Sequence, residues 1–184
     1  MKITGGSFQI PDQELEDFYQ VYCTHVFKEH KKEYLTEKQH DTGPVLVDLD
    51  FRYPENTERV HTEDDIVNIL YLYLNTITEL VNVEENASFP VYFFQKPNVN
   101  KLADKTKDGI HMVIGLHMER EVQIALREKV VKKIGDTCPG LGKHLINTWD
   151  NVVDAGIAKG TVNWQLFGSR KPGHEHMNLL TITQ

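Results

Sequence analysis

The sequence has few cysteines and no long apolar run, and each shortage excludes a class of protein. Only two cysteines, Cys23 and Cys138, occur in 184 residues, and they lie far apart and outside any CxxC spacing. A disulfide scaffold and a cysteine-ligated zinc site are therefore disfavoured, and we predict two buried free thiols. No apolar run approaches the roughly 20 residues that span a bilayer, and the opening MKITGGSFQIPDQELEDF lacks the apolar centre of a signal peptide. We expect a soluble, intracellular protein with no membrane partner.

An excess of positive charge is also missing, since the net charge is -7. This balance argues at first against nucleic acid, which proteins hold mainly through Lys and Arg. The charge is unevenly distributed, however: residues 1–95 sum to -11, residues 96–133 to +4 and residues 134–184 to 0. The middle segment is therefore suited to a polyanion, while the acidic first half faces away or binds cations.

The composition, 40% hydrophobic and 26% charged, fits one globular domain over residues 1–184. Helical periodicity predicts helices over residues 12–30, from Thr62 to about 81, over 117–136 and over 145–157. Apolar and β-branched runs predict strands at 45–51, 89–96, 109–116, 161–168 and 177–183. Helices and strands alternate, which indicates an α/β or α+β sheet with helices packed on it. The chain ends within an apparent strand, so we expect it to be a piece of a longer protein.

Two carboxylates interrupt the strand VLVDLDFRY at residues 45–53. Strand side chains alternate between faces, so an apolar face opposes a face that carries Asp48, Asp50 and Arg52. Asp48 and Asp50 lie close enough to share divalent cations, and hard oxygen ligands favour Mg²⁺ or Mn²⁺. The alternative is a pair of aspartates at a solvated sheet edge.

The strand in KDGIHMVIGL carries a single ionisable side chain, His111, on the face opposite its apolar residues. Gly109 precedes it, and a glycine in a strand allows another backbone or a ligand to approach closely. A lone strand histidine is often structural. With Lys105 and Lys107 before it and the paired aspartates elsewhere, His111 is better interpreted as a donor to a phosphate.

The segment VVDAGIAKGTVNWQLFGSRKPG contains a third acid and a basic turn. Asp154 follows an apolar pair, and GSRKPG places Ser169, Arg170 and Lys171 in a turn that offers amides, a hydroxyl and two cations to a triphosphate. The turn lacks the spacing of a Walker A loop. Taken by itself, it would be a plain surface turn.

The order of these elements resembles the catalytic core of the archaeo-eukaryotic primase (AEP), or primase-polymerase, superfamily. Its motifs hhhDhD, sxH and hD, where h is apolar and s is small, match VLVDLD, GIH and VVD. VLVDLDFRY, KDGIHMVIG and NWQLFGSRKPG look like the N-terminal primase domain of the primase-helicases of nucleo-cytoplasmic large DNA viruses. The resemblance covers roughly residues 35–175.

The resemblance implies an N-terminal α/β unit packed on an RRM-like catalytic sheet, and nucleotidyl transfer directed by a single-stranded DNA template. It also implies nucleoside triphosphates as substrates and a helicase domain in the same full-length chain. For a viral protein, it implies a location in the host cytoplasm or in a virus factory. The residues it assigns are Asp48, Asp50 and Asp154 as catalytic ligands of two Mg²⁺ or Mn²⁺ ions, His111 as a catalytic and nucleotide-binding residue, and Gly109, Ser169, Arg170, Lys171 and Arg52 as further nucleotide-binding residues.

The sequence is also compatible with two other functions, and it leaves a choice between two residues for the third carboxylate. Clustered aspartates and a histidine also serve metal-dependent nucleases and phosphoesterases, and a degenerate domain could bind template without catalysis. The GSRKPG turn favours the transferase, because a hydrolase needs no triphosphate site. Asp150 lies one helical turn from Asp154, which is preferred because it follows two valines. HEH at 174–176 is too compact to replace a zinc module.

Overall fold

An antiparallel sheet forms the centre of the computed structural model, which describes residues 5–84 and 86–181. The strands are β1 (Thr36–Glu37), β2 (Thr42–Tyr53), β3 (Val91–Gln95), β4 (Asn100–Lys101), β5 (Thr106–Glu119), β6 (Trp164–Gln165) and β7 (Asn178–Leu180). The main sheet has the order β2-β5-β3-β7, with β4 also paired to β5, and β1 pairs with β6 separately. Every pairing between these strands is antiparallel.

The described helices are α1 (Leu15–Cys23), α2 (Glu63–Leu80), α3 (Arg120–Thr137), α4 (Pro139–Gly142), α5 (Trp149–Val152) and α6 (Ala155–Ala158). A helical layer formed mainly by α2 and α3 covers one face of the main sheet. Thr62 caps α2 as predicted, and its side chain and that of Asp65 form a capping box that satisfies backbone amides at the helix start. None of the helices in the described ranges is both long and apolar enough to cross a bilayer.

The core lies between this helical layer and the apolar face of β2 and β5. Val45, Val47, Leu49 and Phe51 are at most 3% exposed, and they pack with apolar residues of β5, α2 and α3. The predicted alternation along β2 is therefore confirmed. The opposite face of the sheet carries the polar side chains of both strands.

The order of elements is that of an RRM-like sheet, as the resemblance implies. α2 connects β2 to β3, β5 lies between them, and α3 follows β5. After α3 the chain returns to the free edge of β2, where Val153 forms an antiparallel bridge with Leu49. The N-terminal unit is α1, a π-helical turn at Thr24–Lys28, and the β1–β6 pair.

Several predicted bounds were wrong for reasons of tertiary pairing. The helix predicted over 145–157 is two short turns, because Val153 is extended and pairs with β2. The helix predicted from residue 117 begins at Arg120, because β5 continues to Glu119 opposite Thr42. The strand predicted at 161–168 is reduced to β6, and residues 182–183 of the last predicted strand lie outside the described residues. Cys138 is buried as predicted, but Cys23 is exposed.

Candidate active site

The first and second predicted motifs lie side by side on the neighbouring strands β2 and β5. Asp48 on β2 is directly opposite His111 on β5, and Asp50 is opposite Gly109. Asp48 Oδ1 is 3.6 Å from His111 Nε2, and both side chains are mostly buried. Residues about 60 positions apart in the sequence are thus brought together by the strand register.

Gly109 is required by the close approach of β2. A Cβ atom at this position would lie 2.7 Å from the carbonyl oxygen of Leu49. The predicted reason for the glycine, approach of another backbone, is therefore confirmed, and no side chain separates the two strands beside Asp50.

Asp50 is held by two cationic side chains of the same face. Its Oδ2 lies 3.2 Å from Lys107 Nζ and 3.3 Å from Arg52 Nη2. Asn147 fixes the edge of β2 here, because its side chain accepts from the Arg52 amide and donates to the Asp50 carbonyl. Arg52, predicted to bind nucleotide, lies on the site face but pairs with an acid.

Asp154 reaches the site because the helix breaks at Val153. The backbone amide of Asp154 donates to the Asp48 carbonyl at 2.9 Å, and its Oδ1 accepts from the amide of Ile157 at 3.2 Å and from that of Gly156, so it caps α6. Asp150 instead forms an ion pair with Arg127 at 2.7 Å and is largely exposed. Only Asp154 of the two lies beside the paired aspartates.

The electrostatics of Asp48 show how closely these acids interact. Burial and the negative charges of Asp50 and Asp154 together raise the pKa of Asp48 to about 7, against opposing effects of Lys171 and Lys107. Three like charges therefore converge on a poorly solvated position. A bound cation would relieve this repulsion.

His111 is held as a neutral imidazole. Burial and the positive charges of Lys171 and Lys96 together lower its pKa to about 4. The ring packs against Trp164, with centroids 4.5 Å apart. A neutral ring fixed in this way has one N–H to donate, as a contact to phosphate requires.

Three lysines surround this position, and sequence reasoning missed one of them. Burial lowers the pKa of Lys96, and the positive charges of Lys171 and Lys107 lower it further. Lys96 directly follows β3, whose Phe94 is opposite His111. Its position after a strand was visible in the sequence, but the pairing of that strand with β5 was not. Lys105 is not part of this group, since it pairs with Asp104 on the surface.

The GSRKPG turn lies next to the site, but its residues have different roles. Ser169 is fully buried, its hydroxyl is 2.8 Å from that of Tyr22, and it accepts from the amide of Leu35. The structure therefore corrects its predicted contact with nucleotide: Ser169 holds the turn against the N-terminal segment. Lys171 is exposed, and Arg170 is half-buried with no partner for its Nε among the described residues.

The donor types at the site fit Mg²⁺ or Mn²⁺, because carboxylate oxygens are the ligands that these hard cations prefer. Among residues 5–84 and 86–181, no three His, Cys, Asp or Glu side chains are arranged to ligate one ion. Asp50 is paired with Lys107 and Arg52, and one oxygen of Asp154 caps a helix. Ligation of one ion by all three acids therefore requires these side chains to rearrange.

Comparison with known proteins identifies the family of this chain. The family model described as the C962R protein N-terminal AEP domain matches residues 1–183. The chain is 32% identical over 90% of its length to the putative helicase L207/L206 of Acanthamoeba polyphaga mimivirus, and 25% identical over 92% of its length to the putative helicase 184R of Invertebrate iridescent virus 6. It spans 17% and 19% of the length of these relatives. The chain therefore belongs to the family of the C962R protein N-terminal AEP domain.

Proposed function

We propose that the chain is a DNA-templated primase or primase-polymerase domain, which makes primers for DNA replication from NTPs or dNTPs. The observation that carries the proposal is the convergence of Asp48, Asp50 and Asp154 beside a neutral His111 and three lysines. Acids that can hold cations next to amino groups that can hold phosphates form the arrangement that nucleotidyl transfer needs. The family to which the chain belongs supports the same function.

In the proposed reaction the 3'-hydroxyl of the growing strand attacks the α-phosphorus of the incoming nucleotide. A new bond forms between the hydroxyl oxygen and the α-phosphorus, the bond between the α-phosphorus and the oxygen that bridges it to the β-phosphorus breaks, and pyrophosphate leaves. When bound, divalent ions lower the pKa of the attacking hydroxyl and stabilise the leaving pyrophosphate. Asp48, Asp50 and Asp154 are the residues that would hold them.

The remaining side chains bind and orient the triphosphate. His111 donates a hydrogen bond to a phosphate oxygen, and its packing against Trp164 fixes the direction of that bond. Lys96, Lys107 and Lys171 neutralise phosphate charge. Because Lys107 also pairs with Asp50, nucleotide binding and cation binding are coupled at this residue.

The longer relatives carry the name putative helicase. We propose accordingly that in the full-length protein this domain precedes a helicase, which would supply the single-stranded template. Sequencing of the full reading frame tests this setting directly.

The test of the reaction is incorporation of labelled nucleotide on a single-stranded template with Mg²⁺ or Mn²⁺. We expect incorporation by the wild type and none by Asp48→Asn, with Asp150→Asn as the matched control that stays active. Release of nucleotides from a labelled strand without added triphosphate would instead indicate a nuclease. Template binding by a protein that neither incorporates nor releases nucleotide would indicate a non-catalytic domain.

A second measurement separates the role of His111 from that of the acids. Replacing His111 with Ala is expected to weaken nucleotide binding more than template binding, because its N–H is directed to the triphosphate. Equal losses in both affinities would contradict this role.

A further inference from the structure

Four aromatic side chains form a continuous row on the face of the sheet that carries the candidate active site. We call this set, Tyr92, Phe94, Phe167 and Phe27, the aromatic row. The ring centroids of Tyr92 and Phe94 are 6.5 Å apart, those of Phe94 and Phe167 are 5.0 Å apart, and those of Phe167 and Phe27 are 5.4 Å apart. Each ring thus contacts the next.

The aromatic row passes directly beside the candidate active site. Phe94 is the register partner of His111 on the neighbouring strand, so both side chains lie on the same face. From Phe94 the row extends to Tyr92 on one side and, through Phe167, to Phe27 in the π-helical turn on the other. Phe167 immediately precedes the GSRKPG turn.

Three of the four rings are exposed and Phe94 is half-buried, although aromatic rings stabilise a fold when they are buried. Tyr92 is 46% exposed, and Phe167 and Phe27 are each 42% exposed, whereas Phe93, on the other face of the same strand, is buried in the core. Leu179, opposite Phe94 on β7, is also exposed and extends the apolar surface. Adjacent exposed apolar side chains of this kind mark an interaction surface.

Positive charge lies beside the two central rings of the row. Lys96 is two residues from Phe94, Lys171 is four residues from Phe167, and the positive charges of both lysines lower the pKa of His111. Exposed rings beside lysines are the combination that binds single-stranded nucleic acid, because each base stacks on a ring while the backbone follows the cations.

We propose that the aromatic row stacks the bases of single-stranded template DNA and leads it to Asp48 and His111. This inference rests on the proposed function and names the surface that the template uses. A duplex is a poor ligand for the same surface, because its bases are already stacked on one another. A protein partner or another domain of the longer chain would use the rings without needing the lysines.

The test measures binding of a fluorescently labelled oligo-dT to the 184-residue chain by anisotropy, without metal or nucleotide. Replacing Tyr92 or Phe167 with Ala is expected to weaken the affinity about 5- to 150-fold, since loss of one base–aromatic stack has an effect of this size. Tyr92→Trp should restore or increase the affinity, whereas Tyr92→Leu should not. Duplex DNA of the same length should bind more weakly than the single strand.

Tyr71→Ala is the matched control. Tyr71 is a 49% exposed tyrosine on α2, in the helical layer on the other face of the sheet. We expect this variant to bind oligo-dT as the wild type does. Equal affinity of the row variants and the wild type, equal loss in Tyr71→Ala, or absence of binding by the wild type would overturn the proposal.

The outcomes also separate this inference from the proposed reaction. A row that binds template as described, in a protein that incorporates no nucleotide, would contradict the reaction and leave the surface in place. Conversely, incorporation that persists with unchanged template affinity in the Tyr92→Ala and Phe167→Ala variants would contradict the surface alone.

Discussion

Asp48→Asn is expected to stabilise the fold while it abolishes catalysis. The Asp48 carboxylate is held in a poorly solvated position beside Asp50 and Asp154, and these effects raise its pKa from 3.8 to about 7. A difference of this size corresponds to about 4 kcal/mol of stability lost when the carboxylate is ionised. Since the Asp48 side chain is still 28% exposed, we expect asparagine to recover about 2 to 4 kcal/mol.

The assay is urea unfolding at several pH values. In the unfolded chain Asp48 ionises near 3.8, and in the folded protein near 7. The folded wild type therefore binds an extra proton between these values, and its stability falls as the pH rises from about 4 to about 7 and stays low above that. The advantage of Asp48→Asn should accordingly be small at pH 4 and full at pH 8, where it corresponds to about 4 to 16 °C in Tm.

Divalent cations provide the second arm of this experiment. Mn²⁺ should raise the Tm of the wild type, because a ligand that binds the folded state stabilises it, and should raise that of Asp48→Asn less. Asp150→Asn is the control: it loses only an exposed ion pair, which contributes about 0 to 1 kcal/mol. A destabilised Asp48→Asn protein at pH 8, or an equal Mn²⁺ effect in both proteins, would refute the reasoning.

Three further predictions concern the surroundings of the site. Gly109→Ala should destabilise the fold by about 1 to 3 kcal/mol in urea unfolding, because its Cβ would meet the Leu49 carbonyl at 2.7 Å. Gly43→Ala is the control and should leave stability unchanged, because a Cβ at Gly43 meets nothing within 4 Å. Equal losses of stability in the two variants would contradict the role of the Leu49 contact. Tyr22→Phe removes the hydroxyl that bonds the buried serine of GSRKPG and should raise KM for nucleotide more than it changes kcat; an unchanged KM would contradict this coupling. Burial lowers the pKa of His61 below 6.5, so the contribution of the neutral ring to stability is complete above pH 6.5 and is lost as the pH falls towards the folded pKa. The His61→Asn variant should lack this loss when its urea unfolding is measured between pH 7.5 and 5. The same pH dependence of stability in both proteins would contradict this role of His61.

Much of the sheet was predictable, because short-range patterns determine it. The alternation along VLVDLDFRY and GIHMVIGL places the apolar side chains in the core and Asp48, Asp50 and His111 on the other face. Thr62 marked the start of α2 through its capping chemistry. The three motifs also indicate the family to which the chain belongs.

The residues that complete the site depended on long-range contacts. The sequence predicts a nucleotide contact for Ser169, whereas in the structure this residue is buried against Tyr22. The sequence shows that Lys96 follows a strand, but its place near His111 follows from the pairing of that strand, β3, with β5. Contacts between residues that are distant in the chain produce no periodic pattern in the sequence, so such contacts could not be predicted from it.

Periodicity and residue type are local properties, and they are sufficient to predict which faces of the strands are apolar and which side chains are available for chemistry. The place of Asp154 beside Asp48 depends instead on long-range backbone pairing. The edge of β2 hydrogen-bonds the backbone at Val153 and Asp154 and so interrupts a helix that local pattern predicts. Backbone pairing with a strand about 100 residues earlier outweighed local helical preference, because an unpaired backbone group at a buried edge is costly.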